Sequence, residues 1–192
     1  MLIYRVFPYL EGGDPHQPGG ALYIPPQRGG RVDNPGLYSA FYAGDSEAGA
    51  IAEAFGRFPE WGGAMLRSSP DLPGSFRAIA TYRLPGNAAI CNLDDPAQLI
   101  GLGLRPSQVV SRDYTVTRGW ARRIFEQGKW AGVRWWSYYD PQWSSYALWD
   151  THELALEAVR PLRLDDRALM DAARITLRRV VDAKKPAART MK

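Results

Sequence analysis

The sequence predicts one α+β domain of short strands interleaved with helices. Two patterns support this. Stretches such as Leu2 to Phe7 and Phe76 to Leu84 alternate apolar residues with period two, whereas the stretch starting at Asp45 or Ser46 carries an apolar stripe at helical spacing. Composition is the third support. At 192 residues, 45% hydrophobic and 23% charged, the chain can bury a core and is unlike a disordered polypeptide. Residues 1–183 read as a single domain and 184–192 as a basic, solvated tail.

Taken in order, Leu2 to Phe7 is the first strand and places Arg5 at its centre. An arginine there needs an anionic or polar partner, because its charge cannot be titrated away. A Gly/Pro-rich loop, Gly12 to Gly20, precedes a second short strand at Ala21 to Ile24. Pro25-Pro26 and Gly29-Gly30 then turn the chain into Arg31, and Leu37 to Ala43 reads as an aromatic strand containing Tyr42. In the following helix Ala48, Ile51, Ala52, Phe55 and Phe58 share one face, while Gly49, Glu53 and Gly56 share the other. Each glycine costs the helix roughly 1 kcal/mol relative to alanine, which suits a carboxylate that something must approach closely, whereas by pattern alone Glu53 reads equally as a solvated helix residue.

Beyond it, Pro59 to Gly74 is a loop holding Trp61, which either caps a cleft or pins the loop. Strands are expected at Phe76 to Leu84 and Ala88 to Leu93, and Asp94 or Asp95 before Pro96 starts a short helix reaching about Leu102. Thr115 to Gln127 is the next helix, stopped by Gly128. Gly132 to Ser137 and Trp143 to Trp149 form two more strands, with Ser137 at a strand end. Glu157 to Leu164 is the last strand, and a helix from Asp165 carries Leu169, Ala173, Leu177 and Val180 on one stripe, ending before Pro186.

Several chemistries are set aside. His16 and His152 have no metal-ligand company, no Gly-x-Ser-x-Gly elbow occurs, and Gly128-Lys129 lacks the frame of a phosphate loop. The single cysteine, Cys91, lies among Ala88, Ala89 and Ile90 and reads as a buried small residue. No apolar run approaches the ~20 residues of a bilayer span, no signal peptide is seen, and lone-cysteine usage fits a reducing cytoplasm. The seven Trp and ten Tyr concentrate in the first 42 residues and in Trp130 to Trp149, as core or as walls for a planar ligand. What remains for chemistry is a set of Arg, Tyr, Glu and Ser.

Three segments together resemble the RES domain family: Gly29-Gly30-Arg31-x-Asp33-Asn34-Pro35; Phe41-Tyr42 leading into Ala50-Ile51-Ala52-Glu53; and Gly132-x-Arg134-Trp135-Trp136-Ser137 followed by Ala147-Leu148-Trp149. Tyr4-Arg5-Val6 also fits the family's opening strand. The resemblance implies an ADP-ribosyltransferase-like fold, with strongly twisted sheets forming a central cleft flanked by helices. It implies NAD as substrate, no metal, and a role as a bacterial toxin countered by a helix-turn-helix antitoxin. On that basis Glu53 is the catalytic carboxylate and Arg31 and Arg5 grip the pyrophosphate. Tyr42 stacks on nicotinamide, and Ser137 serves the nicotinamide ribose or fixes an arginine.

The acceptor of the ADP-ribosyl group, whether water, phosphate or protein, is left open by these residues, as is self-association. A competing reading keeps the fold as a non-catalytic nucleotide- or protein-binding module. A third assigns DNA binding to the basic stretch Arg178 to Lys192; the net charge of +4, with 20 acidic residues, argues against it.

Overall fold

The computed structural model describes residues 1–27, 29–152 and 154–181. The expected tail at 184–192 and the domain boundary at 183 lie outside them. The strands are β1 (Leu2–Tyr9), β2 (Phe41–Gly44), β3 (Glu60–Gly62), β4 (Phe76–Arg83), β5 (Ile90–Asn92), β6 (Gly132–Trp136), β7 (Ser144–Leu148), β8 (Ala155–Pro161) and β9 (Arg179–Val181). The helices are α1 (Glu47–Phe55), α2 (Pro96–Gly101), α3 (Pro106–Val109), α4 (Tyr114–Phe125) and α5 (Arg167–Ile175). Seven strands make one mixed sheet in the order β5-β6-β7-β2-β1-β4-β8, and β3 pairs with β9 in a small parallel ribbon. The α+β class is as the sequence predicts.

One junction in the large sheet is thin. β1 runs beside β4 from Leu2↔Arg83 to Tyr9↔Phe76, yet it meets β2 only at Tyr4↔Gly44. The sheet is thus two halves, β5-β6-β7-β2 and β1-β4-β8, that part beyond that pair.

On one face, α1 and α5 bury Ile51, Phe55, Leu169 and Ala173 against Ile79 of the second half and Trp61 of β3. On the same face of the first half, α2 to α4 bury Leu99, Val109, Trp120 and Ile124 against Cys91, Val133, Trp135 and Ala147. The opposite face carries a third core of Ile3, Phe7, Phe41, Tyr82, Tyr146 and Leu148, spanning both halves.

Local caps fall where the sequence places them. Ser46 Oγ accepts from the Gly49 amide at 3.0 Å to start α1, and Asp95 caps α2 ahead of Pro96. Among the described residues no helix is long and apolar enough to cross a membrane.

Several expectations need correction. Ala21 to Ile24 is not a strand: the Leu22 and Tyr23 amides bond to Pro15 and Gly20 carbonyls within their own loop, leaving no ladder. The strand expected from Leu37 starts only at Phe41, because the Leu37 and Tyr38 amides close a turn onto the Asn34 carbonyl. Trp61 sits in a strand rather than a loop; it is fully buried, and its indole N–H donates to the Phe55 carbonyl at 3.2 Å, so it pins rather than caps.

The last helix ends at Ile175. Leu177 adopts a left-handed conformation (φ 55°) and is exposed, while Val180 belongs to β9 opposite Trp61. The Arg178 amide reaching the Ala173 carbonyl closes the helix end, and pairing with β3 outweighs continued helical periodicity. Likewise α1 ends before Phe58, which is exposed beneath the Arg57 guanidinium.

Candidate active site

A cavity of about 360 Å³ opens on the helix-covered face where β1 and β2 part. β1 contributes Tyr4, Arg5 and Val6, and β2 contributes Tyr42, Ala43 and Gly44. α1 supplies Glu53 on one side, while Arg31, Val110 and Tyr114 line the other. α1 can lie this close to β2 because Gly44 has no side chain: a Cβ there would meet the Ala50 amide nitrogen at 3.1 Å.

Glu53 stands exposed at this cavity, on the outward side of α1 as the helical register requires. Its Oε1 accepts from Ser137 Oγ at 2.6 Å and from Ser145 Oγ at 3.3 Å. Ser137 is buried and also accepts from the Tyr139 amide at 3.2 Å, so its one proton is committed to the carboxylate. The resemblance gives Ser137 a ribose or an arginine as its partner; in the folded chain its hydroxyl donates to Glu53.

The glycines beside Glu53 also differ from expectation. A Cβ on Gly49 would lie 3.3 Å from the Trp143 ring, and one on Gly56 would lie 2.3 Å from Tyr139. They admit the chain's own aromatic rings.

Arg31 is anchored at its base. Its Nη1 donates to the Val109 carbonyl at 3.1 Å and the Ser111 carbonyl at 2.6 Å, and its guanidinium lies 5.8 Å from the Tyr114 ring centroid. Those carbonyls belong to the last residue of α3 and to the connection from α3 to α4, so the helices across the cleft hold the arginine in place. Thr117, buried on α4, donates to the Arg31 carbonyl at 2.5 Å and fixes the backbone as well.

Tyr42 donates to Asp33 Oδ1 at 2.6 Å, and its oxygen accepts from the Val32 amide at 3.2 Å. Burial, followed by the bond to Asp33, pushes its pKa far above that of a free tyrosine, so the phenol stays protonated. Asp33, itself buried, gathers the Gly29 and Gly30 amides on its other oxygen. Gly30 is required here, since a Cβ would meet the Tyr42 hydroxyl at 2.5 Å. The turn before Arg31 and the ring of Tyr42 are therefore one unit.

Arg5 points to the opposite face of the sheet. Its Nη1 donates to the Tyr23 carbonyl at 2.8 Å and its guanidinium lies 4.6 Å above the Phe41 ring. Burial lowers its pKa, and the neighbouring Tyr82 hydroxyl opposes that shift. It nonetheless remains cationic, as arginine does throughout the ordinary pH range.

All four residues proposed for the cleft from the sequence, Arg5, Arg31, Tyr42 and Glu53, line this cavity, and Ser137 acts from just behind it. Residues absent from that set are Ser145, Tyr114, Trp136, Tyr138 and, behind Tyr42, Asp33. Ser145 was findable in principle. It lies one residue past Ser144 on β7, opposite Trp135 and Gly44, but only the strand register shows which of the two serines faces Glu53.

The nucleophile-free reading of Cys91 holds. It is buried, and burial pushes its thiol up to about 11.

No curated protein matches the chain significantly by sequence. Solved structures do match: one is a chain of the M. tuberculosis MbcT–MbcA toxin–antitoxin complex, 16% identical, with a TM-score of 0.60 over 92% of this chain and 88% of that one. At that identity the likeness establishes a shared fold. The family model for the RES domain matches residues 3–176, which cover the cleft, its two arginines, the tyrosine, the glutamate and both serines. The chain belongs to the RES domain family.

Proposed function

We propose that this domain consumes NAD by breaking the bond between nicotinamide and ribose, acting as a glycohydrolase, phosphorylase or ADP-ribosyltransferase. The observation that carries this reading is that Arg31 and Glu53, from separate elements, face one cavity, with the carboxylate held by two serine hydroxyls.

As nicotinamide leaves with the bonding electron pair, positive charge develops on the ribose, as in glycoside cleavage. A fixed carboxylate beside that carbon stabilises the charge without having to reorient. Both serine contacts go to Oε1, leaving Oε2 for the sugar or its hydroxyls. Arg31, tethered through one nitrogen, has further N–H groups for an anionic phosphate. Tyr42, kept protonated, offers a ring face for nicotinamide. The acceptor, whether water, phosphate or a protein side chain, then bonds to the ribose carbon and gives up its proton.

The fold shared with a chain of a toxin–antitoxin complex supports a toxin role with an antitoxin as partner; the helix-turn-helix class of that antitoxin and a cytoplasmic site of action are carried over from the family resemblance alone. Incubating the purified protein with NAD and assaying free nicotinamide tests the activity. Release at the rate of a no-enzyme control overturns it. Mass spectrometry of products formed with and without phosphate and cell extract identifies the acceptor. Induction in a bacterial host, scored by growth and NAD content, tests the toxin role.

A further inference from the structure

The segment Gly132-x-Arg134-Trp135-Trp136-Ser137 holds one charged residue that does not line the cavity. Val133 and Trp135 turn into the core shared with α2 to α4, so Arg134 between them points to the reverse face of the sheet. Its ladder neighbours are Asn92 of β5 and Tyr146 of β7. The guanidinium links three strands there. Nη1 donates to Asn92 Oδ1 at 3.1 Å, while Nη2 donates to Ser144 Oγ at 2.7 Å and lies 3.2 Å from Asp94 Oδ2. Ser144, a buried residue, donates in turn to the same Asp94 oxygen at 3.3 Å, so its one proton is committed.

Ser144 is also the point to which the parts of the Glu53 site on the other face are tied. Its carbonyl accepts from the Asp45 amide at 3.0 Å, immediately before the Ser46 cap of α1. The residue before it, Trp143, accepts from the Ser137 amide at 2.7 Å and so closes the β6–β7 ladder at that serine. The residue after it, Ser145, turns to the cavity face, where its hydroxyl meets Glu53 Oε1. Both serines that touch the carboxylate, and the helix that carries it, therefore take their position from the residue whose side chain Arg134 grips.

Strength and direction separate what Arg134 contributes. With 30% and 26% of their side chains exposed, Arg134 and Asp94 form a partly solvated pair, the kind that adds little to stability. A planar guanidinium with its two outer nitrogens bonded to different strands does fix geometry, because neither bond can shift without bending the other.

We infer that Arg134 is a positioning residue for Glu53: from the reverse face of the sheet it fixes Ser144, and through Ser144 the placing of Ser137, Ser145 and α1 around the carboxylate. This rests on Glu53 being the catalytic group proposed above. The site then extends through the sheet, to a residue behind the cavity.

The test measures kcat and KM for NAD on purified Arg134→Gln, Arg134→Lys, Ser144→Ala and the Arg134→Gln/Ser144→Ala double variant, with circular dichroism checking that each is folded. Arg134→Gln and Ser144→Ala are each expected to lower kcat by about fivefold with KM within about twofold of wild type, and Arg134→Lys to recover part of the loss. The double variant should lie within about twofold of the less active single variant, because both changes break one path. A kcat within about twofold of wild type in either folded single variant overturns the inference, as do losses that multiply in the double variant. If Arg134→Gln does not fold, Ser144→Ala decides by the same criterion. If the wild type releases no nicotinamide, the catalytic reading fails and crystal structures of the two single variants decide this one: a serine hydroxyl leaving hydrogen-bond range of Glu53 supports it, and both contacts unchanged overturn it.

Discussion

Ser137 donates to Glu53 across 2.6 Å, joining the end of β6 to the exposed side of α1. The serine is buried and the glutamate is not, so the pair fixes a carboxylate that remains open to a ligand. Removing the serine leaves only the 3.3 Å contact from Ser145 and an unpaired Tyr139 amide. Ser137→Ala is therefore expected to lower kcat for NAD by about tenfold, roughly 1.4 kcal/mol, with a smaller change in KM. Adding Ser145→Ala should lower it further. A double variant with wild-type kcat would show that orientation of the carboxylate is irrelevant.

Glu53→Gln keeps the size of the side chain and removes its charge. Nicotinamide release should fall by about 100-fold or more, in the range seen when a group stabilising transition-state charge is lost. A decrease within about threefold, under 1 kcal/mol of barrier, excludes Glu53 as the catalytic group.

Arg31 has two jobs, bonding to the Val109 and Ser111 carbonyls and presenting its remaining donors to the cavity. Arg31→Ala should raise the KM for NAD by about tenfold or more, and Arg31→Lys should recover only part, because one ammonium cannot serve two carbonyls and a phosphate as a guanidinium fork does. An unchanged NAD titration for Arg31→Ala places the diphosphate elsewhere.

Gly56→Ala runs against helix propensity. Gly56 caps α1 with helical backbone angles, where alanine is normally favoured over glycine by up to about 1 kcal/mol, but here its methyl would enter the Tyr139 ring at 2.3 Å. We expect a net loss of about 1–3 kcal/mol in chemical denaturation, as for other overpacked sites. A stabilised variant would show that the Tyr139 loop yields freely.

Buried tyrosines set the alkaline limit. Burial raises Tyr38 and Tyr82 to about 12, and Tyr42 moves in the same direction, while unfolded tyrosine titrates near ~10. The folded state then holds protons that the unfolded state releases, so stability is fully present below about pH 10 and declines as pH rises toward 12. Urea midpoints measured from pH 8 to 12 should stay level and then fall. Tyr38→Phe and Tyr82→Phe should each reduce the alkaline slope.

The sequence by itself determined what nearest neighbours decide. Period-two and 3.6-residue patterns located β1, β4, α1 and α4; Ser46 and Asp95 marked helix starts; the surroundings of Cys91 gave its burial. Arg31, Tyr42 and Glu53 stood out because a glycine turn, a strand and a helix follow one another within a short stretch.

Only the tertiary structure decided that Ser137, 84 residues from Glu53, holds that carboxylate, and that the glycines of α1 seat Trp143 and Tyr139. It also ended α5 at Ile175, since the apolar residues beyond it gain more by pairing beside Trp61 than by adding a turn. The separation of β1 from β2 after a single residue pair belongs to the same class. A local pattern records which face of an element is apolar, whereas strand register and the gap between two half-sheets follow from the packing of distant segments. No short window of residues carries that information.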